Sequence, residues 1–246
     1  MAIFAEYSQK WLYFRTRKNY KSMRKATISA DIVRSTSFEV EDIEKFQKYM
    51  INFFETVPAI SNIDFWGRLV KGDEIEIVCN DINKVSRLAF LLKCYVKSYA
   101  PIFEVKYANP AEDKALQKKY GIRMSIGVGE LRINDPITNI IDGDAIYRSG
   151  RGLKEISSYK RNTFVYSSDK TEQDEYVNVV CSLIDVILNN ATSRQCEVLY
   201  YRLLGLQENE IAIKLGISQP TVNKISNAIS WNVVNDALSL LENIIN

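Results

Sequence analysis

The sequence predicts an α+β protein in which a mixed domain of strands and helices is followed by an all-α domain. Up to about residue 167, short apolar segments typical of strands alternate with segments of helical spacing, in the order β-α-β-β-α-β. From residue 176 onward only helical spacing recurs. A short polar stretch separates the two patterns, which indicates two domains.

Strand and helix signals define the first half of the mixed domain. Residues 25–33 predict a strand with a buried face, and residues 40–57 place apolar side chains at helical spacing. We expect Pro58 to end that helix, because proline has no backbone N–H to continue it. Residues 64–70 and 74–79 predict two strands, and the Lys-Gly-Asp sequence between them predicts a hairpin turn.

The second half of the mixed domain predicts a further helix-strand pair and a closing unit. Residues 82–99 carry apolar side chains on one helical face, and residues 121–128 predict a strand. A helix over 144–156 and a short strand over 163–166 follow. This order matches a ferredoxin-like or palm arrangement, an antiparallel sheet with helices on one face.

Domain boundaries follow from composition. We expect a basic segment rich in aromatic residues at 1–25, a helix or an arm, followed by the mixed domain at 26–167. Residues 168–175 contain no apolar side chain and are expected to be a linker. The helical domain then covers residues 176–246.

Charge is distributed unevenly along the chain. The 246 residues carry a net charge of +2, but residues 1–25 hold seven basic side chains against one glutamate, a net +6. Residues 192–246 carry a net −1. Because DNA readers normally neutralise several phosphates with Lys and Arg, the C-terminal unit alone is expected to bind DNA weakly. A homodimer, or help from the basic N-terminus, would supply the missing contacts.

Histidine and cysteine usage excludes several site chemistries. The chain has no histidine, which excludes a His-ligated zinc site, a Ser-His triad and a Cys-His dyad. Its four cysteines form no CxxC pair, and no signal peptide or membrane-length apolar run is visible. We therefore expect a cytoplasmic protein with isolated thiols and no membrane partner.

Residues 207–225, QENEIAIKLGISQPTVNKI, predict a helix-turn-helix. Ala212 is a small residue where two helices must approach closely, and Gly216 lies where the turn between them favours a left-handed backbone. Ser218 is placed to cap the second helix, and Pro220 lies in its first turn, where a missing N–H costs little. The unit resembles the helix-turn-helix of bacterial regulators and of the promoter-binding region of sigma factors.

The second helix of this unit is expected to present a polar face outward, as a recognition helix does in a DNA major groove. The residues that we expect to contact double-stranded DNA are Ser218, Gln219, Thr221, Asn223, Lys224 and Asn227. Thr192 and Gln195 have capping-box spacing at the start of the preceding helix. An ordinary helical hairpin is the alternative, since apolar periodicity alone does not exclude one.

Three segments of the mixed domain resemble the class III nucleotide cyclase domain, which is built on a palm-type fold. These segments are ADIVRST at 30–36, VKGDE at 70–74 and GDAIYRSGRGL at 143–153. The resemblance implies that Asp31 and Asp73 bind Mg²⁺ together with a nucleotide, because paired carboxylates suit that ion.

The same resemblance implies that Arg151 binds phosphate, a role that Arg148, one helical turn earlier, fits equally. The chain departs from the cyclase pattern at Tyr147, where the family has an asparagine. The two purine-reading positions fall at Leu69 and near Ile140, whose side chains cannot hydrogen-bond a base. These departures argue against specific cyclase activity, and we assign no catalytic residue.

A resemblance to the SatD family covers most of residues 26–230. That family joins a degenerate cyclase-like domain to a C-terminal helix-turn-helix. The matching segments are SADIVRS, KGDEIEI, IGVGEL and DGDAIYRSGRGL, in the family's order. Within the last segment Asp144 replaces a proline and Gly150 replaces an alanine. The resemblance implies the architecture more than an activity.

Several of these residues also have ordinary structural interpretations. Asp31 alternatively ends a strand and caps the next turn, and Asp73 alternatively shapes a hairpin. Arg151 alternatively faces solvent. Gly127 and Gly129 either allow a phosphate to approach a strand or form a bulge.

Three functions remain open at the level of sequence. The leading hypothesis is a DNA-binding transcriptional regulator with a cyclase-like sensory or dimerisation domain that binds nucleotide and metal. The second is a metal-dependent nucleotide cyclase or phosphohydrolase that uses Asp31, Asp73 and Arg151. The third is a protein-interaction module that contacts the transcription machinery, for which the negative charge of residues 192–246 is the main support.

Overall fold

The computed structural model describes residues 23–70, 72–99, 110–158 and 163–245. Most of the predicted basic N-terminal segment, residues 1–22, lies outside the described residues. The described chain is a mixture of helices and strands, as the α+β prediction requires. None of its described helices is long and apolar enough to span a bilayer.

Within the described ranges, six strands form one largely antiparallel sheet, five of them in the order β2-β3-β1-β4-β5. β6 pairs with β4 in parallel, which is the exception to the antiparallel pattern among the described pairs. β1 lies at the centre, where Ala30 pairs with Ile75 of β3 and with Met124 of β4. The strands are β1 Met23–Ile32, β2 Phe65–Val70, β3 Glu74–Cys79, β4 Ile122–Asp135, β5 Ile140–Gly143 and β6 Phe164–Ser167.

Helices connect these strands and then continue without further strands. The predicted order β-α-β-β-α-β is present, with two further helices and two further strands within or after its second half. In the mixed part the helices are α1 Val40–Ser61, α2 Val85–Tyr99, α3 Pro110–Tyr120 and α4 Asp144–Ser158. The C-terminal helices are α5 Thr171–Asn190, α6 Ser193–Leu203, α7 Glu208–Leu215, α8 Gln219–Ala228 and α9 Trp231–Ile244.

The two faces of the sheet bury different side chains. Ala26, Ile28 and Ala30 of β1 lie in the main hydrophobic core, together with apolar residues of α1 and α2. Successive strand residues point to opposite faces, so Thr27 and Ser29 lie on the other side. There the hydroxyl groups of both lie within 3.0 Å of the hydroxyl of a serine in α4. Helices therefore cover both faces, and the expectation of helices on one face was wrong.

Glycine allows α4 to lie very close to β4. A Cβ atom at Gly127 would be 2.1 Å from the carbonyl oxygen of Ala145, and one at Gly152 would be 2.2 Å from the hydroxyl oxygen of Ser125. A Cβ at Gly129 would lie 3.1 Å from the backbone nitrogen of Ala145. Helix packing therefore explains Gly127 and Gly129, because α4 and not a phosphate fills the space that a side chain would occupy at each position.

Several predicted boundaries differ from the observed ones. α1 continues through Pro58 to Ser61, and a left-handed Asn62 with φ 51° follows its end. Pro58 removes only the hydrogen bond to the carbonyl of Phe54, four residues earlier. The helix completes one more short stretch, in which the hydroxyl of Ser61 donates to the carbonyl of Val57 at 2.7 Å. β4 extends to Asp135, well beyond the predicted end of that strand.

The predicted linker contains the start of a helix. α5 begins at Thr171, inside residues 168–175, because the polar residues there form its exposed first turn.

The core also continues from one part of the chain to the other. Phe90 of α2 stacks on Phe164 of β6, and Tyr95 of α2 lies against Tyr200 of α6 with ring centroids 5.3 Å apart.

A buried ionic network fixes α2 to α5. The Nζ of the fully buried Lys93 donates to Asp185 and, at 2.8 Å, to the hydroxyl of Thr163. Thr163 in turn donates to Asp185, and the amide of Asn189 donates to the same carboxylate at 3.0 Å. Burial lowers the pKa of Lys93, and the Asp185 charge opposes that shift. The network joins the strand sheet to the helix that leads into the C-terminal unit.

Candidate functional site

The predicted helix-turn-helix consists of α7 and α8 joined by a short turn. Gly216 adopts φ 62° and ψ 36°, the left-handed conformation expected at this position. The N–H of Ile217 donates to the carbonyl of Ala212 at 3.0 Å, which closes the end of α7. The hydroxyl of Ser218 accepts from the N–H of Thr221, and Pro220 lies in the first turn of α8. These turn and capping predictions are confirmed.

The neighbouring helix ends are capped by side chains as well. Thr192 and Gln195 form the predicted capping box at the start of α6. Gln207 and Glu210 form a second box at the start of α7, which the sequence reading did not identify. Both boxes satisfy backbone N–H groups that a helix start leaves unpaired. The helices are therefore held at defined ends rather than frayed.

A small core of its own holds the unit together. Ile211, Ala212 and Val222 are buried with Val198 of α6. Leu215, Ile217 and Ile225, also predicted to face inward, are partly buried against this cluster. Because α6, α7 and α8 all contribute, the orientation of α8 is fixed by packing from two other helices.

The polar face of α8 is exposed as expected. The six predicted DNA contacts, Ser218, Gln219, Thr221, Asn223, Lys224 and Asn227, are all exposed. Because these side chains are exposed, α8 can enter a groove as wide as the DNA major groove.

A glutamate from α7 holds the amide side chains of that face. The side chains of Gln219 and Asn223 both donate to the carboxylate of Glu208, in the Asn223 case at 3.1 Å. Arg202 of α6 donates to the same carboxylate. The amide of Asn227 donates to Asn223 at 3.1 Å. Sequence reading missed Glu208 and Arg202, because the pairing depends on how the turn folds α8 back onto α6 and α7.

Asp31 and Asp73 converge on one pocket of about 660 Å³ at the end of β1. The hydroxyl of Ser35 donates to Asp73, so the strand end and the hairpin are connected directly. Two cations, Arg34 and Arg123, line the same pocket. Hydroxyl and further acidic lining comes from Thr36, Tyr120, Thr163 and Glu112.

Arg123 holds the carboxylate of Asp31 in a two-point ion pair. Its Nε and Nη2 donate to the two carboxylate oxygens at 2.8 and 2.7 Å. The pairing follows from the sheet, because the two residues are opposite each other in β1 and β4. Burial raises the pKa of Asp31, and nearby Asp73 and Glu74 act in the same direction while Arg123 opposes them.

The donor set suits Mg²⁺ in part. Mg²⁺ is commonly held by one or two carboxylates plus substrate phosphates, and Asp31 with Asp73 would supply those carboxylates. In the present arrangement both oxygens of Asp31 are engaged by Arg123. Among the described residues no group of three acidic or thiol side chains forms a metal cluster. A metal bound by Asp31 would therefore compete with Arg123 for that carboxylate.

The predicted phosphate-binding arginines lie elsewhere. Arg148 and Arg151 line a second pocket of about 290 Å³ with Asp144, Tyr147 and Glu155. Ile156 of the same helix lines the first pocket, five residues after Arg151. Five residues turn a helix by about 140° beyond one full turn, so Arg151 points away from the first pocket. Within one chain these arginines therefore line a different pocket from Asp31 and Asp73, and their binding of phosphate stays a prediction.

The departures from the cyclase pattern have structural partners. The hydroxyl of Tyr147 donates to Asp142, which also pairs with Arg132 at 2.8 Å. Leu69 packs against the main core and lines a separate pocket of about 560 Å³ rather than the first one. The purine position at Leu69 is thus occupied by a packing residue.

Comparisons with known proteins add nothing to these geometric observations. No protein-family model matches the chain, and no curated protein sequence matches it. The resemblance to the SatD family therefore stays a prediction.

Proposed function

We propose that the protein is a DNA-binding transcriptional regulator whose mixed domain senses a nucleotide or mediates dimerisation. One observation carries this proposal: α8 is packed by two helices on its inner side, while the six predicted contact residues, five in α8 and one at its N-cap, stay exposed. A helix held in this way is a rigid element that fits the major groove.

The chemistry of the face agrees with base and phosphate contact. Amide side chains such as Gln219 and Asn223 donate to and accept from adenine in the major groove, and Lys224 is placed to pair with a phosphate. Glu208 holds the two amides in one orientation, which lowers the entropy lost on reading a base. Glu208 is a positioning residue in this account.

The weak charge of the C-terminal unit favours a homodimer on double-stranded DNA. Residues 192–246 carry a net −1, so one copy supplies few phosphate contacts. Two copies double those contacts and read two half-sites. The basic residues before β1 add further positive charge.

A ferredoxin-like or palm arrangement is our proposal for the mixed domain. The antiparallel order β2-β3-β1-β4 and the succession β-α-β-β-α-β support it. The resemblance to the SatD family, with its cyclase-like domain and helix-turn-helix, is consistent with this proposal. Helix α4 on the second face of the sheet would then be an addition to the β-α-β-β-α-β unit, and so would strands β5 and β6.

Alanine at both Asn223 and Lys224 is expected to weaken binding to double-stranded DNA at least about tenfold, because one base contact and one phosphate contact are lost. A mobility-shift assay with random-sequence duplexes measures this. The matched control removes one Asn and one Lys from exposed positions elsewhere, Asn232→Ala with Lys48→Ala. Equal binding by the double variant and the control would remove α8 as the reading helix.

A second candidate function rests on the shared pocket of Asp31 and Asp73. We infer that a nucleotide phosphate would attract Arg123, and that Asp31, released from its ion pair, would then bind Mg²⁺ with Asp73. Leu69, Ile140 and Tyr147 argue against purine turnover, so binding without reaction is favoured over a cyclase or phosphohydrolase.

A module that contacts the transcription machinery instead of DNA remains the third candidate, and salt-independent association with a protein partner would favour it.

Asp73→Asn is expected to abolish any Mg²⁺-dependent or Mn²⁺-dependent binding of ATP or GTP, because the neutral amide is a poorer ligand for a hard cation. Calorimetric titration measures binding, and product analysis in the same samples measures turnover. Binding without turnover supports a sensor, and metal-dependent turnover lost in Asp73→Asn supports the enzyme. Wild-type protein that binds neither nucleotide would remove both readings of the pocket.

A further inference from the structure

α5 exposes a continuous apolar stripe. Tyr176, Val179, Leu183 and Val186 are each between 57% and 71% exposed. Isolated exposed apolar residues are normal on a protein surface, but a contiguous row of them marks an interaction site. We call these four residues the α5 stripe.

The stripe is separate from the side of α5 that builds the core. Val177, Cys181, Ile184 and Leu188 are buried and hold α5 against the rest of the protein. The stripe residues are spaced by three, four and three positions, the spacing by which one helix packs along another. α5 thus has two apolar faces, and only one of them is used by the described residues.

The start of the described chain lies beside one end of the stripe. Arg24 pairs with Asp169, with its Nη1 2.7 Å from the carboxylate Oδ2. Asp169 lies two residues before Thr171, the first residue of α5. Residues 1–22 are therefore joined to the described chain next to the N-terminal end of the stripe.

The sequence of residues 1–22 complements the stripe in pattern and in charge. Phe4, Tyr7, Trp11 and Phe14 repeat the spacing of three, four and three. Five basic residues against one glutamate give this segment a net +4. The first turns of α5 expose Glu172 and Glu175, so the charges near the junction are opposite.

Chain length permits the contact. From Tyr176 to Val186 the stripe rises about 15 Å along the helix axis. The eight residues from Arg15 to Ser22 are available to connect Phe14 to β1. An extended connector of that length spans at most about 26–29 Å, more than the stripe itself.

We propose that the α5 stripe is the docking surface for residues 1–22 of the same chain. The aromatic side chains of the segment cover the stripe, and its basic residues lie near Glu172 and Glu175. The basic N-terminus would then be held on the helix that leads into α6 and the helix-turn-helix. This proposal does not depend on DNA binding, because its evidence lies entirely in α5 and the N-terminal sequence.

Hydrogen exchange on the full chain tests the proposal. The amides of residues 4–14 are expected to exchange at least about tenfold more slowly than an unprotected chain, because docking shields them. Leu183→Glu and, as a second variant, Val179→Glu are expected to abolish that protection. The matched control is Ile137→Glu, since Ile137 is 82% exposed in the turn after β4. Far-ultraviolet circular dichroism confirms that each variant is folded.

Loss of protection in both stripe variants but not in the control supports the proposal. Unprotected residues 4–14 in the wild type would overturn it. Protection that persists in both folded stripe variants would also overturn it, because the segment would be docked elsewhere. The other possible occupant of the stripe is a second copy of the chain. Light scattering shows the concentration at which the protein is a monomer. If the protection is lost at that concentration, the stripe belongs to an interface with a second copy and the intrachain proposal fails.

Discussion

Replacing Asp185 by leucine is expected to lower the free energy of unfolding by about 3–5 kcal/mol, because removal of one partner leaves a buried charge uncompensated. Lys93 is fully buried, and its ammonium group donates only to Asp185 and Thr163 in the described structure. Without the carboxylate, the cation must be desolvated without a counter-ion or lose its proton. Chemical denaturation followed by circular dichroism measures the effect.

The matched control is the double replacement Lys93→Met with Asp185→Leu. Apolar residues of similar size remove both charges together, so most of the lost stability is expected to return. If the single and double variants are equally destabilised, packing of Asp185 rather than charge pairing is the cause. If the single variant is as stable as the wild type, the ionic network does not hold α5 to α2.

Gly127→Ala is expected to destabilise the protein by about 3 kcal/mol, near the upper end of the usual cost of overpacking. The added Cβ would lie 2.1 Å from the carbonyl oxygen of Ala145 and 2.5 Å from the backbone nitrogen of Ser149. Backbone atoms of a helix cannot rotate away as a flexible side chain can, so the whole of α4 must shift. Such a shift also disturbs the hydrogen bonds between the hydroxyl of Ser149 and those of Thr27 and Ser29.

Gly150→Ala serves as the control within α4. A Cβ at Gly150 meets no atom within 4 Å, so alanine there is expected to stabilise the helix by up to about 1 kcal/mol. Both substitutions add one methyl group, which meets backbone atoms of α4 at Gly127 in β4 and open space at Gly150 in α4. Equal effects on the midpoint of denaturation would contradict the close packing of α4 on β4.

Local sequence signals predicted the helix-turn-helix well. Gly216, Ser218 and the Thr192–Gln195 box act through backbone groups within a few residues, so their spacing is visible in the sequence. The exposed side of α8 follows from the same helical periodicity.

Contacts between distant segments were not predictable in this way. The pair Arg123–Asp31 depends on the register between β1 and β4, which no local pattern specifies. Glu208 contacts α8 only because the turn brings α8 back across α7. Five of the eleven residues of α3 are charged and its apolar spacing is weak, so this helix was not predicted.

In the mixed domain, one pair of residues grouped by resemblance lies in one pocket, and a second pair lies apart from it. Asp31 and Asp73 were paired by resemblance, and they do line one pocket because their strand end and hairpin meet at one edge of the sheet. Arg148 and Arg151 were assigned to the same ligand by the same resemblance, yet they line another pocket. The helix that carries both arginines was predicted, but the rotation of α4 about its axis required the packed structure.

The most direct test of DNA reading by α8 is the salt dependence of binding, measured by fluorescence anisotropy with the full chain and a labelled random-sequence duplex. We expect binding at low salt and an affinity that falls as salt rises, because phosphate contacts release counterions. Lys224→Ala is expected to reduce the slope of log affinity against log salt by about one. No binding at the lowest salt, or an unchanged slope and affinity in Lys224→Ala, would contradict the account.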